Sequence, residues 1–428
     1  MGISIGLVGL GSFGSSFAPL FKQHPLVDRI GFCDREPALL ERFANDPFYA
    51  DKLDRERDLY TSLDAICKAD FDALAIITQP WLHAPQCLQA MERGKHVYSA
   101  VPVISIPDDD EILDWCDKLV AAVKRTGRHY MLGETTFYRP QTMYCRRKAR
   151  EGAFGDFVYA EGEYMHDVDS RCNLRQVQHA RTSSQSGKEW LALSERYLRR
   201  GVRGGAMHYP THSVSGPVAV MNAHAVKVNA YGYVNRTSDP FFAGSPFSNE
   251  MALFQMSNGA VVRILEAREM PGKIGEEEET FRVFGTRGGF SENRWFTTER
   301  PDFDHLDLAK LPKPTTVSLT RGDMFDPLPP EVQLAFKKAM HRNKNESELL
   351  SIDFVPEGHG GSHPYLVHEF VAAVAHDRVP AVNVWEAVRY MAMGVAAHQS
   401  ALKDGETVAV PDWGDAPPIK GAGDRDRD

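Results

Sequence analysis

The stretch Ile3-Ser4-Ile5-Gly6-Leu7-Val8-Gly9-Leu10-Gly11-Ser12-Phe13-Gly14 decides the fold: an apolar strand runs directly into G-x-G-x-x-G, and a helix-like segment follows. In that context Gly9 permits the tight turn, Gly11 lets the backbone approach a pyrophosphate, and Gly14 lets helix and strand pack closely. Ser12 and Phe13 open the helix, whose N-terminus faces negative charge. Asp34 follows Gly14 by 20 residues, at the end of the second apolar run. A carboxylate there hydrogen-bonds a ribose 2′-hydroxyl and repels a 2′-phosphate, so the pattern predicts NAD, while Arg35 beside it leaves NADP possible.

Working outward, residues 1–135 alternate apolar runs (Ile3–Val8, Ile30–Cys33, Ala73–Ile77, His96–Tyr98, Tyr130–Gly133) with helical patterns such as Pro37–Ala44 and Ala84–Glu92. Such alternation predicts a doubly wound parallel sheet of the Rossmann type, an NAD-binding domain with α/β architecture. Cofactors bind at the carboxyl ends of such strands. Thr78, Trp81 and His83, then Ala100 and Val101, then Glu134 occupy those ends and are candidate cofactor contacts, Trp81 and His83 having loop packing as the alternative.

Residues 136–410 change character. Alternating or aromatic-rich runs at Phe157–Tyr164, Val226–Tyr233, Glu250–Gln255, Ala260–Glu266 and Thr280–Phe284 predict an open, mostly antiparallel sheet in an α+β domain for substrate and oligomerisation. Helices over His363–Ala375 and Trp385–Ala401 close it, the second capped by Asn383. Residues 300–350 read as a long loop or insertion, Glu276–Glu279 as an exposed strand lead-in, and residues 411–428 as a partly disordered tail.

The 428 residues, 43% hydrophobic, suffice for a sizeable core in two or three domains. Net charge is −9, with 49 basic and 58 acidic side chains and no basic block, which argues against nucleic acid or an anionic membrane as partner. Six cysteines without C-x-x-C spacing predict reduced thiols and no structural metal. The chain opens on a strand without a targeting pattern and holds no run of about 18 apolar residues, so a cytoplasmic address is expected. An uncovered sheet face predicts a homodimer or homotetramer.

Gly9, Gly11 and Gly14, Asp34, Gly94-Lys95-His96-Val97 with Pro102, and Phe284-Gly285-Thr286-Arg287-Gly288-Gly289 together resemble the Gfo/Idh/MocA family of NAD(P)-dependent sugar oxidoreductases. The resemblance covers nearly the whole chain and implies a nucleotide-binding domain joined to an open-sheet domain that carries the substrate. Typical dehydrogenases of that family use a Lys, an Asp and a His at the hydride-transfer site. Here Val101 holds the lysine position, His208 holds the Asp position, and His212 alone remains.

A second set of motifs is similar to family 109 glycoside hydrolases: Tyr209-Pro210-Thr211-His212 with Gly216-Pro217-Val218, Ala160-Glu161-Gly162-Glu163-Tyr164-Met165-His166-Asp167, and His359-Gly360-Gly361. This similarity implies retained NAD, a redox-neutral cleavage, and Tyr164, Tyr209 and His212 at a carbohydrate substrate. Ala100 replaces a Glu of that family and Thr135 a cofactor-contacting Asn, so its specificity for N-acetylgalactosamine is not implied. His166, His208 and His359 are candidate substrate contacts, with hydrogen bonding in a packed junction as the alternative. Arg203, clustered with Arg199 and Arg200, either clamps a polar ligand or forms a solvated cationic face.

Oxidising a ring hydroxyl acidifies the neighbouring C–H, so a modest base can remove that proton and expel the anomeric group without the usual pair of carboxylates. A histidine near its ordinary pKa and a tyrosine lowered by a neighbouring cation are the expected bases, His212 at the hydroxyl and Tyr164 at the adjacent carbon. Net sugar or cyclitol oxidation, or a nucleotide-binding protein without catalysis, are the other readings.

Overall fold

The computed structural model describes residues 2–169, 174–270, 279–301 and 303–417. The glycine-terminated strand β1 (Ile3–Val8) lies at the centre of a six-stranded sheet with β2 (Val27–Cys33), β3 (Leu59–Tyr60), β4 (Ala73–Ile76), β5 (His96–Ser99) and β6 (Tyr130–Leu132). The order is β3-β2-β1-β4-β5-β6, and every pairing is parallel. Helices on both faces leave Ile5, Leu7, Ile30, Phe32 and Leu74 without solvent contact, which is why these strands are apolar throughout rather than alternating. The order reverses between β1 and β4, and the glycine turn opens at that switch point. The two-residue β3 is too short to carry a periodic signal and was not among the expected strands.

The second sheet runs β14-β13-β12-β11-β7-β10-β9-β8-β15. Its strands are β7 (Phe157–Met165), β8 (Ala225–Tyr233), β9 (Asn249–Met256), β10 (Val261–Ala267), β11 (Glu279–Gly285), β12 (Gly288–Ser291), β13 (Arg294–Thr297), β14 (Thr315–Ser318) and β15 (Val408–Ala409). Pairing is antiparallel except between β7 and β10. One face packs under the helices Thr211–Met221 and Val384–Leu402, the second capped by the Asn383 side chain, which accepts from Trp385 and Glu386 N–H. The other face is uncovered and presents Tyr231, Met251 and Leu253, each at least half exposed.

Residues 300–350 are not one long loop. They contain β14 and the helices Pro330–Met340 and Glu346–Leu350. Val332, Ala335, Phe336 and Ala339 form a buried stripe at helical spacing, and Pro330 at the first turn starts the helix rather than breaking it. Glu279 is likewise not an exposed lead-in: it is buried and paired with Arg139 at 2.8 Å. Residues 276–278, Cys172 and the end of the tail from 418 lie outside the described residues, whereas Asp412 and Asp415 are held by Arg389 at 2.7 and 2.9 Å. No described helix is long and apolar enough to cross a membrane.

Candidate active site

The cofactor side is built from backbone. Gly9 takes φ +94°, and a Cβ there would meet the Ile77 carbonyl oxygen at 2.3 Å. A Cβ at Gly14 would lie 2.0 Å from the Gly9 oxygen, so that glycine brings helix and turn together. At Gly11 a Cβ would meet nothing within 4 Å, so this side of the turn is open for a ligand. Asp34 is positioned by two backbone donors: Leu10 N–H reaches Oδ2 at 2.7 Å and Glu36 N–H reaches Oδ1 at 2.9 Å. Each oxygen keeps lone pairs for a ribose diol. Arg35 is drawn away into a bidentate pair with Glu189, at 3.0 and 2.9 Å, which removes the cation that would favour a 2′-phosphate. These residues fit an NAD-type dinucleotide. Phe13 packs on His359 and His363, tying the glycine turn to the second domain, and Ser12 is exposed beside it.

His83 does not face this cleft. Its ring is buried, Nδ1 lying 2.8 Å from the Pro102 oxygen and Nε2 3.2 Å from the Thr78 oxygen, and burial pushes its pKa down to about 4. It therefore holds the two loops after β4 and β5 together. Thr78 donates to Gln86 at 2.6 Å, and Trp81 stacks on Trp190 at 5.0 Å. Ala100 N–H bonds the Ile76 oxygen, so Ala100 continues the sheet ladder, while buried Val101 accepts from the Tyr209 hydroxyl at 3.3 Å.

The substrate side assembles from strand ends and helix starts. Glu134 follows β6, and its Oε1 lies 2.9 Å from His212 Nδ1 and accepts from Thr136 N–H at 2.8 Å. Its Oε2 is buried with no hydrogen-bond partner among the described residues, an orphaned acceptor beside His212. Glu279, at the start of β11, lies 3.8 Å from His212 Nδ1 and is bound by Arg139 and the Thr136 hydroxyl. Tyr164 meets the His212 ring edge-on at 5.0 Å and stacks on Tyr209 at 6.4 Å, with Arg268 over its face at 4.6 Å. His166 lies against Tyr164 at 5.4 Å. His359, at φ +38° within a left-handed run from Gly358 to Gly361, is close enough to His212, Glu279 and Arg139 to feel their charges.

Electrostatics reverse two of the expected roles. Burial pushes His212 down, but Glu134 and Glu279 outweigh it and raise it to about 9, so the ring is an imidazolium at neutral pH rather than a ready base. Burial lifts Tyr164 well above its ordinary value despite Arg268, and Tyr209 is raised for the same reason, so both phenols keep their protons. Burial would also raise Glu279, yet Arg139 and His212 hold it at about 2. Behind them Glu266 is pushed up by burial to about 7, against the opposing pull of Arg268 and the Ser213 hydroxyl.

Two expected substrate contacts lie elsewhere. His208 is buried, with Nε2 2.7 Å from Asp109, in a network that continues through its 4.5 Å ring contact with His398 to Glu250. That network anchors the turn before Tyr209. Arg203 is exposed, and its backbone hydrogen-bonds His398 in that same network. No metal was expected, yet Glu134, His212 and Glu279 converge with ligand atoms within 4.8 Å, as do Asp109, His208 and His398. In the first group the imidazolium and Arg139 already compensate the two carboxylates. Glu279, Arg139, Thr136 and Arg268 escaped the sequence reading. Glu279 was the last of an acidic run, and nothing local marks Arg139 as its partner 140 positions earlier.

The comparisons bear on both halves. Residues 3–134 match the Gfo/Idh/MocA oxidoreductase family, NAD-binding Rossmann fold. The N-terminal sheet is therefore an NAD-binding Rossmann unit of the oxidoreductase type. A glycosyl hydrolase family 109 protein of Shewanella baltica (strain OS155 / ATCC BAA-1091) is 27% identical over 246 residues, covering 56% of this chain and 48% of that protein. The matched part is about half the length of that relative. An alpha-N-acetylgalactosaminidase of Tannerella forsythia is 24% identical over 367 residues, covering 80% of this chain and 71% of that protein. Across the whole fold, a levoglucosan dehydrogenase in complex with NADH and L-sorbose superposes with TM-score 0.67 at 18% identity, covering 96% of this chain and all of that one. The fold is thus similar to that of a levoglucosan dehydrogenase, and the sequence to family 109 glycosyl hydrolase proteins.

Proposed function

We propose that this protein is an NAD-dependent enzyme that cleaves a glycoside without net redox change, by transient oxidation and elimination. The observation that carries the reading is a buried, apolar Val101 linked through Tyr209, which donates to its carbonyl, to the charged Glu134–His212–Glu279 cluster. NAD, when bound, supplies the hydride acceptor. Glu134 occupies His212 Nδ1, which leaves Nε2 as the atom that exchanges a proton with a substrate hydroxyl. Tyr164 and Tyr209 keep their protons and orient substrate oxygens as hydrogen-bond donors. The C–H proton lost in the elimination passes to His359, which burial keeps neutral, and water adds at the anomeric carbon as the hydride returns.

We also place the enzyme in the cytoplasm as a homodimer or homotetramer, supported by five buried free cysteines and the uncovered sheet face. The deciding experiment incubates the purified protein with aryl glycosides and free sugars in deuterated buffer, following the NADH band, aryl release and deuterium at the sugar carbons. Cleavage with catalytic NAD and deuterium uptake is expected. One NADH per sugar, without cleavage or exchange, overturns the reading in favour of a sugar or cyclitol dehydrogenase.

A further inference from the structure

We propose that Arg181 heads a subsite for an anionic group of the substrate, a carboxylate, supplying beside the cofactor the positive charge that Val101 does not. This rests on the reading of the protein as a sugar-acting enzyme.

The helices Leu174–Ser183 and Gln185–Arg199 form a strap over the ends of β4 and β5. Trp190 stacked on Trp81, with 17° between the rings, and Glu189 paired with Arg35 pin it there. Beneath it is a cavity of about 220 Å³ bounded by Trp81, Ser105, Gln178, Arg181, Trp190 and Phe241. Its walls are largely apolar, with rings from Trp81, Trp190 and Phe241; Ser105 and Thr182 carry hydroxyls, Gln178 an amide, and Arg181 is its one cation.

Neighbouring arginines are neutralised: Arg175 by Asp169 and Asp239, Arg200 by Asp108. Half-buried Arg181 has no carboxylate partner among the described residues, and a guanidinium in that state is the natural mate of a carboxylate. Its charge reaches Tyr209 and His83. Those two residues hold the Val101 and Pro102 carbonyls, so the cation lies beside the loop that follows β5, and Tyr209 links that loop to His212 at 5.6 Å. Neither the glycine turn nor the Glu134–His212–Glu279 cluster lines the cavity, so an anion held there sits outside both the pyrophosphate turn and the charged cluster.

The test compares the NAD-loaded protein on 4-nitrophenyl hexuronides and the matching neutral hexosides, and reads quenching of tryptophan fluorescence by free hexuronate. An acid-over-neutral preference in kcat/KM of tenfold or more is expected. Arg181→Gln should remove it through KM, Arg181→Lys should restore part of it, and NAD affinity should not move. Quenching that Arg181→Gln abolishes supports the subsite even if no glycoside turns over, in which case only the cleavage reading fails. Neutral glycosides cleaved with no acid preference and no quenching overturn the subsite and leave the cleavage reading standing. Loss of NAD affinity in Arg181→Gln assigns the cation to the pyrophosphate and overturns the proposal.

Discussion

The two sides of the cleft are made in opposite ways. The cofactor side is one short turn plus Asp34, and its contacts are backbone groups set by three glycines. The substrate side draws Glu134, Tyr164, the Tyr209–His212 pair, Glu279 and His359 from five separate segments, and its character comes from side-chain charges acting on one another. A backbone site is specified locally and tolerates little variation. A side-chain site can change chemistry while the sheet beneath it stays the same.

The contrast is broken most sharply at His212. His212→Ala should lower turnover by about 10²–10⁴-fold while leaving NAD affinity intact, measured by steady-state kinetics and by titration. Loss of NAD binding in that variant would show that the two sides are not separable. Asp34→Ala should weaken NAD by about 10–100-fold, the worth of hydrogen bonds to a charged group, and NADP far less. Equal weakening of both would remove the ribose assignment.

The pH dependence sharpens the comparison. A proton-accepting Nε2 requires loss of the imidazolium proton, so kcat/KM should climb with pH through about 9 and level off above it. Glu134→Gln removes a carboxylate that holds the proton on, and should move that limb to lower pH; a limb that stays put excludes His212 as its source. The sign for stability is opposite. Pairing of His212 with the carboxylates stabilises the fold fully below the ring's ordinary value of 6.5 and is lost as pH rises through about 9. Val101→Lys should bring no gain in net sugar oxidation, because a buried ammonium there is desolvated and repels the nicotinamide. The smallest effect belongs to Glu189→Gln, which frees Arg35 and should raise NADP affinity by at most about fivefold, the scale of an exposed ion pair.

The first sheet was legible because its strands are uniformly apolar and punctuated by glycine: β1 and the helix Pro37–Ala44 fall where the pattern puts them. The Pro330–Met340 helix was hidden because prolines and charges mask its stripe. On the substrate side, residue types in Tyr209–His212 pointed to chemistry, but protonation did not follow from type. Whether His212 is acid or base depends on Glu134 and Glu279, which lie 78 positions before it and 67 after it in the chain. His83 shows the converse: its place after β4 suggested the cofactor, and burial turned it into a clamp.

The parallel pairing of β7 with β10 carries a consequence for biosynthesis. A parallel neighbour requires a long crossover, and here it contains the strap, the Tyr209–His212 turn, β8 and β9. Both partners of β7, β10 and β11, are synthesised only after that crossover. During translation the strap helices can form from local contacts while β7 waits as an unpaired edge, open to wrong partners until Val261 leaves the ribosome. Closure of the second sheet is therefore gated by the segment that supplies Tyr209 and His212, and a lengthened crossover would slow it before it touched the finished enzyme.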